Sequence, residues 1–283
     1  MSDASAGIAR PDGFSAAIAT LHGIGLDRLE QRAALMTRTD RKYIVPAAVA
    51  TALVAALSPD LHVLEIGGAR DFAYRSLYYD TPELTAYRTA ATKRRRRFKV
   101  RRREYVDAGT AFLEVKTRTG RGDTEKVREQ TGTLHGAELP LPGGAPLEGP
   151  DLDYVLTQLA EAEVPPPPLP LRPVLETAYR RTTLLIGSEG SRVTLDSALT
   201  WRGSALQPYR LEDLFIVETK SSANAGAADR FLWRAHHRPQ RISKFATGMA
   251  LLDPTLPTNR WHRTLGRVSA HVTPRIDLSS PTP

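Results

Sequence analysis

The chain has 283 residues, 41% of them hydrophobic, enough to bury a large core, and no cysteine, which excludes disulfides and thiolate metal sites. Lys and Arg total 39 against 31 Asp and Glu, a net charge of +8 that points to a polyanionic partner: nucleic acid, anionic lipid or a phosphate-rich small molecule. No apolar run is long enough to span a membrane, and the start, MSDASAGIARPDG, lacks the basic-then-apolar order of a secretory signal; a cytoplasmic location fits both.

In chain order, residues 1–30 read as a peripheral segment, with a short amphipathic helix in GFSAAIATLHGIGLDRLEQ. TRTDRKYIVP reads as a strand, and Pro46 opens a helix through AAVATALVAAL. FAYRSLYYD is a strand, and TPELTAYRTAA a helix with Thr81 as N-cap and Pro82 at its first position. RRFKVRRREYV and TAFLEVKTR are strands joined by the turn DAGT, and TEKVREQTG is another strand. A Gly/Pro-rich loop over 136–150 precedes the helix DLDYVLTQLAEA, and PPPPLPLRP is a stiff connector. The second half repeats the strand pattern in ETAYRRTTLLIG, RVTLDSALTWR and DLFIVETKSS, followed by helices around AADRFLWRAHH and RISKFATGMALL. From Asp253 the chain is Pro-rich and reads as a loose tail. The expectation is one α+β domain over residues 31–252, dominated by antiparallel strands.

The charge sits in those strands. In KRRRRFKVRRREY, from Lys93 to Tyr105, nine of the first eleven residues are basic. Side chains alternate across a strand, so Arg97, Lys99, Arg101 and Arg103 share one face and Phe98 and Val100 the other, until Arg102 and Glu104 break the apolar face. By the same parity Glu114, Lys116 and Arg118 share a face, as do Lys126 and Arg128; Arg192, Thr194 and Asp196; Glu218 and Lys220; and Arg38, Asp40 and Lys42. One wet face is ordinary for a sheet, but six with a basic excess are not. Two like charges ~4 Å apart at an effective dielectric of ~20 repel by about 4 kcal/mol, and an anion would relieve that repulsion. An antiparallel β-barrel with helices packed outside would gather these side chains into one basic lumen fit for a phosphate chain. His236 and His237 read as surface residues on a helix, and no GxxxxGK[ST] or GxGxxG loop supports a nucleotide-binding α/β alternative.

The succession DRKY, KVRRREY, FLEVKTR, EKVRE, AYRR, RVTLD, FIVETK and ISKF resembles the polyphosphate polymerase domain of the vacuolar transporter chaperone (VTC) family. That domain belongs to the triphosphate tunnel metalloenzymes, which include the CYTH triphosphatases. The resemblance spans about residues 35–252. It implies phosphate-binding or catalytic roles for Lys42, Arg101, Arg103, Lys116, Lys126, Tyr179, Arg181, Arg192, Ser243 and Lys244. Lys99, Arg128 and Lys220 join them by strand parity. Glu218 is implied as ligand of a divalent metal, Mn²⁺ or Mg²⁺, with Glu114 as a second carboxylate. Tyr179 also reads as a core tyrosine. The triphosphatases open on two glutamates and a lysine; here that face carries Arg38, Asp40 and Lys42, which shifts the expectation toward polymerases.

The implied reaction moves the γ-phosphate of ATP onto inorganic polyphosphate, with no protein nucleophile. A hydrolase of triphosphate and a polyphosphate-binding module remain as alternatives. A narrow lumen argues against nucleic acid. No SPX-like helical domain precedes the tunnel and no membrane span follows it, so the resemblance does not extend to regulation or built-in translocation; a membrane-protein partner is an open expectation.

Overall fold

The computed structural model describes residues 12–33, 39–120, 122–133, 142–203, 207–222 and 224–274. In chain order these form α1 (Asp12–Ala19), β1 (His22–Ile24), α2 (Leu26–Arg32), β2 (Thr39–Pro46), α3 (Ala47–Leu57), β3 (Leu61–Leu64), β4 (Phe72–Asp80), α4 (Thr85–Ala91), β5 (Arg97–Tyr105), β6 (Thr110–Arg118) and β7 (Thr124–Thr133). They continue with α5 (Gly149–Glu161), β8 (Arg172–Ile186), β9 (Ser191–Arg202), β10 (Tyr209–Leu211), β11 (Leu214–Ser221), α6 (Ala227–Arg234), α7 (Lys244–Leu252), α8 (His262–Ser269) and β12 (Val272–Pro274). The fold is α+β, with one largely antiparallel sheet. Its main pairing path runs β12–β10–β9–β8–β4–β5–β6–β7, and β11–β2 and β3–β1 branch from it. Among the described residues no pairing joins β7 back to the other end, so the hydrogen-bonded ring expected of a closed barrel is not formed. No helix among the described residues is long and apolar enough to cross a membrane.

The chain divides into two compact units. The first comprises Met1–Phe72, Tyr179–Leu199 and Leu211–Arg241; the second comprises Ala73–Ala178, Thr200–Arg210 and Ile242–Pro283. β8 and β9 each pass from one unit into the other.

In the first unit β11 lies between β2 and β9, antiparallel to both. Tyr43, Val45, Val193, Leu195, Phe215 and Val217 occupy one face and build the core with Ala50, Leu53 and Val54 of α3 and Ala228 and Leu232 of α6. Residues 1–30, expected to be peripheral, are instead partly integral. Phe14, Ile18 and Leu21 are buried in this core, and Leu29 of α2 is buried against Ile24 and Leu64. A helix this short keeps its structure only by burying an apolar face, and the core supplies the partner.

In the second unit β4, β5, β6 and β7 form an antiparallel meander. Its apolar face, with Leu77, Tyr79, Phe98, Val100, Leu113 and Val115, packs with Val155 and Leu159 of α5 and Ala86 of α4. Helix α4 begins at Thr85, three residues after Pro82, because the cap is one turn of chain away from the expected one. The buried Asp80 carboxylate accepts the backbone N–H groups of Thr81, Ala86 and Tyr87, while the Thr81 hydroxyl accepts that of Thr85. Beyond Asp253 the expected loose tail contains α8 and β12, and Leu256, Trp261 and Val268 are buried.

Candidate functional site

The meander of the second unit turns one charged face away from its core. Across the strands Tyr78 stands opposite Arg101, Arg101 opposite Glu114, and Glu114 opposite Arg128. One row along, Lys99 stands opposite Lys116 and Lys116 opposite Lys126; on the other side Ser76 stands opposite Arg103. Six candidate phosphate-binding cations (Lys99, Arg101, Arg103, Lys116, Lys126 and Arg128) thus share a face with Glu114, as do Arg97 and Arg118, which stand opposite each other. Arg102 points the other way and pairs with Asp151 of α5, as strand parity demands.

Glu114 organises this face. It is buried, accepts the Nε of Arg101 at 2.6 Å, pairs also with that residue's Nη2, and holds the Nζ of Lys126 at 2.6 Å. Burial alone would raise its pKa, but the charges of Arg101, Arg103 and Lys126 outweigh that and bring it to about 2. Burial likewise pushes Lys126 down, Glu114 draws it back, and Arg101 and Arg103 oppose Glu114, leaving Lys126 at about 8. The guanidinium of Arg128 lies 4.8 Å from the Phe112 ring, and that of Arg103 lies 5.6 Å from the Tyr74 ring with its Nε directed to Ser76 Oγ. Stacking of this kind fixes the direction of a long side chain.

Tyr78 belongs to the same face, although its stretch reads in sequence as a plain strand. Its hydroxyl accepts a hydrogen bond from Arg101 Nη1 at 3.2 Å, and its ring packs on Phe245 at 5.0 Å. Lys99 Nζ stands 5.9 Å from the Tyr78 ring centre and 5.4 Å from that of Phe245. Burial would raise the phenol, yet Arg101, Lys99 and Arg103 bring it down to about 8. Only the cross-strand register pairs it with Arg101, so its own stretch of sequence carries no signal of this role.

Helix α7 brings in the SK pair. Ser243 is its N-cap, accepting the Ala246 N–H at 3.3 Å, and it also accepts Lys99 Nζ at 3.1 Å. The Lys244 carbonyl accepts Trp201 Nε1 at 2.7 Å. Gly248 lies against that indole: a Cβ there would stand 2.2 Å from Trp201 Cδ1, so only glycine allows the helix to seat.

The first unit carries a second charged face, on the reverse of its core. Lys42 stands opposite Glu218 and Glu218 opposite Thr194; beside them Asp40 stands opposite Lys220 and Lys220 opposite Arg192. Glu218 Oε1 receives Lys42 Nζ at 2.9 Å and Lys220 Nζ at 3.6 Å. Burial opposes ionisation of Glu218, but Lys42, Lys220 and Arg181 prevail and lower it to about 2. Arg181 forms a two-pronged pair with the buried Asp196, at 2.6 and 2.8 Å, and lies 5.4 Å from the ring of Tyr179. Tyr179 itself is only 2% exposed. Behind this face the fully buried Asp229 ties β2 to β11: it accepts Tyr43 Oη at 2.7 Å, Thr219 Oγ1 at 2.6 Å and Arg41 Nη1 at 3.1 Å. Arg38 lies outside the described residues.

The carboxylates differ in their fitness for a divalent cation. Both oxygens of Glu114 face cations, which suits it to ordering Arg101 and Lys126. Glu218 Oε2 has no protein partner among the described residues, so it presents an ionised oxygen of the kind Mg²⁺ or Mn²⁺ prefers. Among the described residues no cluster of three or more His, Asp or Glu forms a full cage; Mg²⁺ commonly takes one or two carboxylates and fills its shell from phosphates and water.

These features define an α+β protein with two strand faces on which cations cluster around an ionised glutamate. A family model described as the VTC domain matches residues 37–253, and the chain belongs to the VTC domain family. Among solved structures it is similar to the putative adenylyl cyclase HpAC1 from Hippeastrum, described as having a dominant triphosphatase activity, at 17% identity and a TM-score of 0.46, with 76% of this chain and 96% of that one covered. It is also similar to the PH1819 protein from Pyrococcus horikoshii OT3, at 12% identity and a TM-score of 0.40, with 77% and 98% covered. No curated protein matches the sequence.

Proposed function

We propose that the protein is a metal-dependent polyphosphate polymerase that moves the γ-phosphate of ATP onto a growing inorganic polyphosphate chain. The observation that carries this reading is the β5–β6–β7 face, where lysines and arginines gather on the side of Glu114, a carboxylate that is itself committed to ordering two of them. Membership of the VTC domain family supports the same substrate class.

Phosphoryl transfer asks the protein for positioning and charge stabilisation rather than covalent chemistry. Arg101 and Arg103, held by Tyr78, Tyr74 and Ser76, present guanidinium forks to non-bridging oxygens, and Lys99, Lys116 and Lys126 add point charges. In the first unit Lys42, Lys220, Arg181 and Arg192 offer the same to phosphate. Ser243 and Lys244 add a hydroxyl and an ammonium at the start of α7. Glu218 would hold the divalent cation, which when bound neutralises phosphate oxygens. The nucleophile is the terminal phosphate of the chain, so no activated side chain is required.

The test is incubation with ATP and Mn²⁺ or Mg²⁺, with gel staining for polyphosphate beside a free-phosphate assay. Long stained product supports the proposal. Free phosphate without polymer makes the protein a hydrolase, and retention of added polyphosphate with neither product makes it a binding module.

A further inference from the structure

Helix α6 has two unlike sides. Ala228 and Leu232 are buried in the first unit's core, against the side of β2, β11 and β9 that faces away from Lys42 and Glu218. On the outward side Arg230, Trp233, Arg234 and Arg238 line an open cavity of about 520 Å³. Arg230 and Arg234 are four residues apart, hence stacked along the helix about 6 Å apart. Beyond the helix, His236 turns the backbone into the left-handed region at φ 62°, and the guanidinium of Arg238 stands 5.6 Å from the Trp233 ring centre. Trp233 is anchored from below, its Nε1 donating to Tyr43 Oη at 3.1 Å.

The charges of this cavity are not balanced. Arg230 pairs with Glu189 at 3.2 Å. Arg234 donates its Nε to the Arg230 carbonyl, and among the described residues neither Arg234 nor Arg238 has an acidic partner. Like charges one helical turn apart disfavour the helix. The negative end of the helix dipole offsets this for Arg234, but not for Arg238, which lies past the last turn.

We infer that this outer face of α6 is a second anion-binding site, which takes a stretch of phosphate chain through the forks of Arg234 and Arg238. All three cations are arginines, the side chain that grips phosphate in two-pronged fashion. Arg238 already covers the indole of Trp233, so the site offers phosphate donors rather than the bare aromatic platform that single-stranded nucleic acid uses. The choice of phosphate chain as ligand rests on the proposed function. A long chain held here and on the first unit's own charged strand face gains affinity by effective concentration, which tripolyphosphate is too short to do.

The test compares wild type with Arg234→Ala/Arg238→Ala and with Arg234→Lys/Arg238→Lys, using tripolyphosphate, long-chain polyphosphate and single-stranded DNA at matched ionic strength, with thermal melts to confirm folding. The alanine variant should lose about a hundredfold in affinity for long polyphosphate, the low end of an avidity effect, with a smaller loss in the lysine variant. Wild-type affinity for long polyphosphate in the alanine variant overturns the inference. An equal loss for DNA overturns the assignment to phosphate chains, and so does a loss of binding to anionic phospholipid vesicles with polyphosphate unaffected. Failure of the proposed function reads differently: no polymer from ATP in wild type, with the long-chain loss in the variant intact, would leave the α6 site standing without the polymerase.

Discussion

Replacing Glu218 with Gln separates the electrostatic role of that carboxylate from its shape. In the folded protein its pKa is about 2, against an ordinary value of 4.5. At ~1.36 kcal/mol per pKa unit, the interaction with Lys42, Lys220 and Arg181, net of burial, is about 3 kcal/mol. Because the folded pKa is depressed, this stability is present above pH 4.5 and is lost as the pH falls toward 2. Glu218→Gln removes it at neutral pH and leaves Lys42 and Lys220 without their counter-charge. A domain of this size moves roughly 2–4 °C per kcal/mol, so the melting temperature of the free protein should fall by roughly 6–12 °C. Tripolyphosphate should restore much of the loss, since an anion at a hundred times its dissociation constant adds about 2.7 kcal/mol and meets a more positive face. Thermal melts with and without tripolyphosphate, beside the ATP-to-polymer assay, read all of this. Polymer synthesis should drop by orders of magnitude while phosphate binding persists. An unchanged melt of the free protein would refute the electrostatic argument, and near-wild-type turnover would refute the metal role.

Arg101→Ala should abolish polymer formation and Arg102→Ala should leave it nearly intact, because one faces Glu114 and the other Asp151; equal losses in the turnover assay would sink the facing assignment. Tyr78→Phe removes the oxygen that receives Arg101 and should weaken tripolyphosphate binding about tenfold by calorimetry, the low end for one hydrogen bond to a charged group, while the fold survives. Tripolyphosphate affinity should fall as pH passes about 8, where Lys126 loses its charge and Tyr78 gains a negative one; Tyr78→Phe should make that fall shallower in a titration from pH 7 to 9. Tripolyphosphate should raise the melting temperature by several degrees and long single-stranded DNA should raise it less, with a DNA effect that modest salt removes; equal stabilisation would mark the cations as an open, unselective surface.

Period-two alternation was the legible part of this sequence, because it depends only on the pleat. Arg101 and Arg102, adjacent in the chain, go to opposite faces for that reason alone, and so do Glu218 and Val217. What alternation cannot give is which strand lies beside which. Glu114 reads in sequence as a candidate metal ligand, and only the cross-strand register places Arg101 on one side of it and Lys126 within reach on the other. Tyr78 was missed for the same reason: nothing near it in the chain is basic on its own face, and its cations, Arg101, Lys99 and Arg103, arrive from β5. Local chemistry misled at α4, where a Thr-Pro start looked sufficient while a buried Asp80 held the cap from the preceding strand. It misled again after Asp253, where prolines suggested a loose end but Trp261 and Val268 find buried places. The errors share one cause, a long-range partner that outweighs local propensity. The charged faces escaped it because charge that lines one side of several strands is visible one strand at a time. That also explains why the roles of single residues on those faces rest on register and pairing, and why the Arg101/Arg102 contrast tests the whole reading more sharply than any one lysine would.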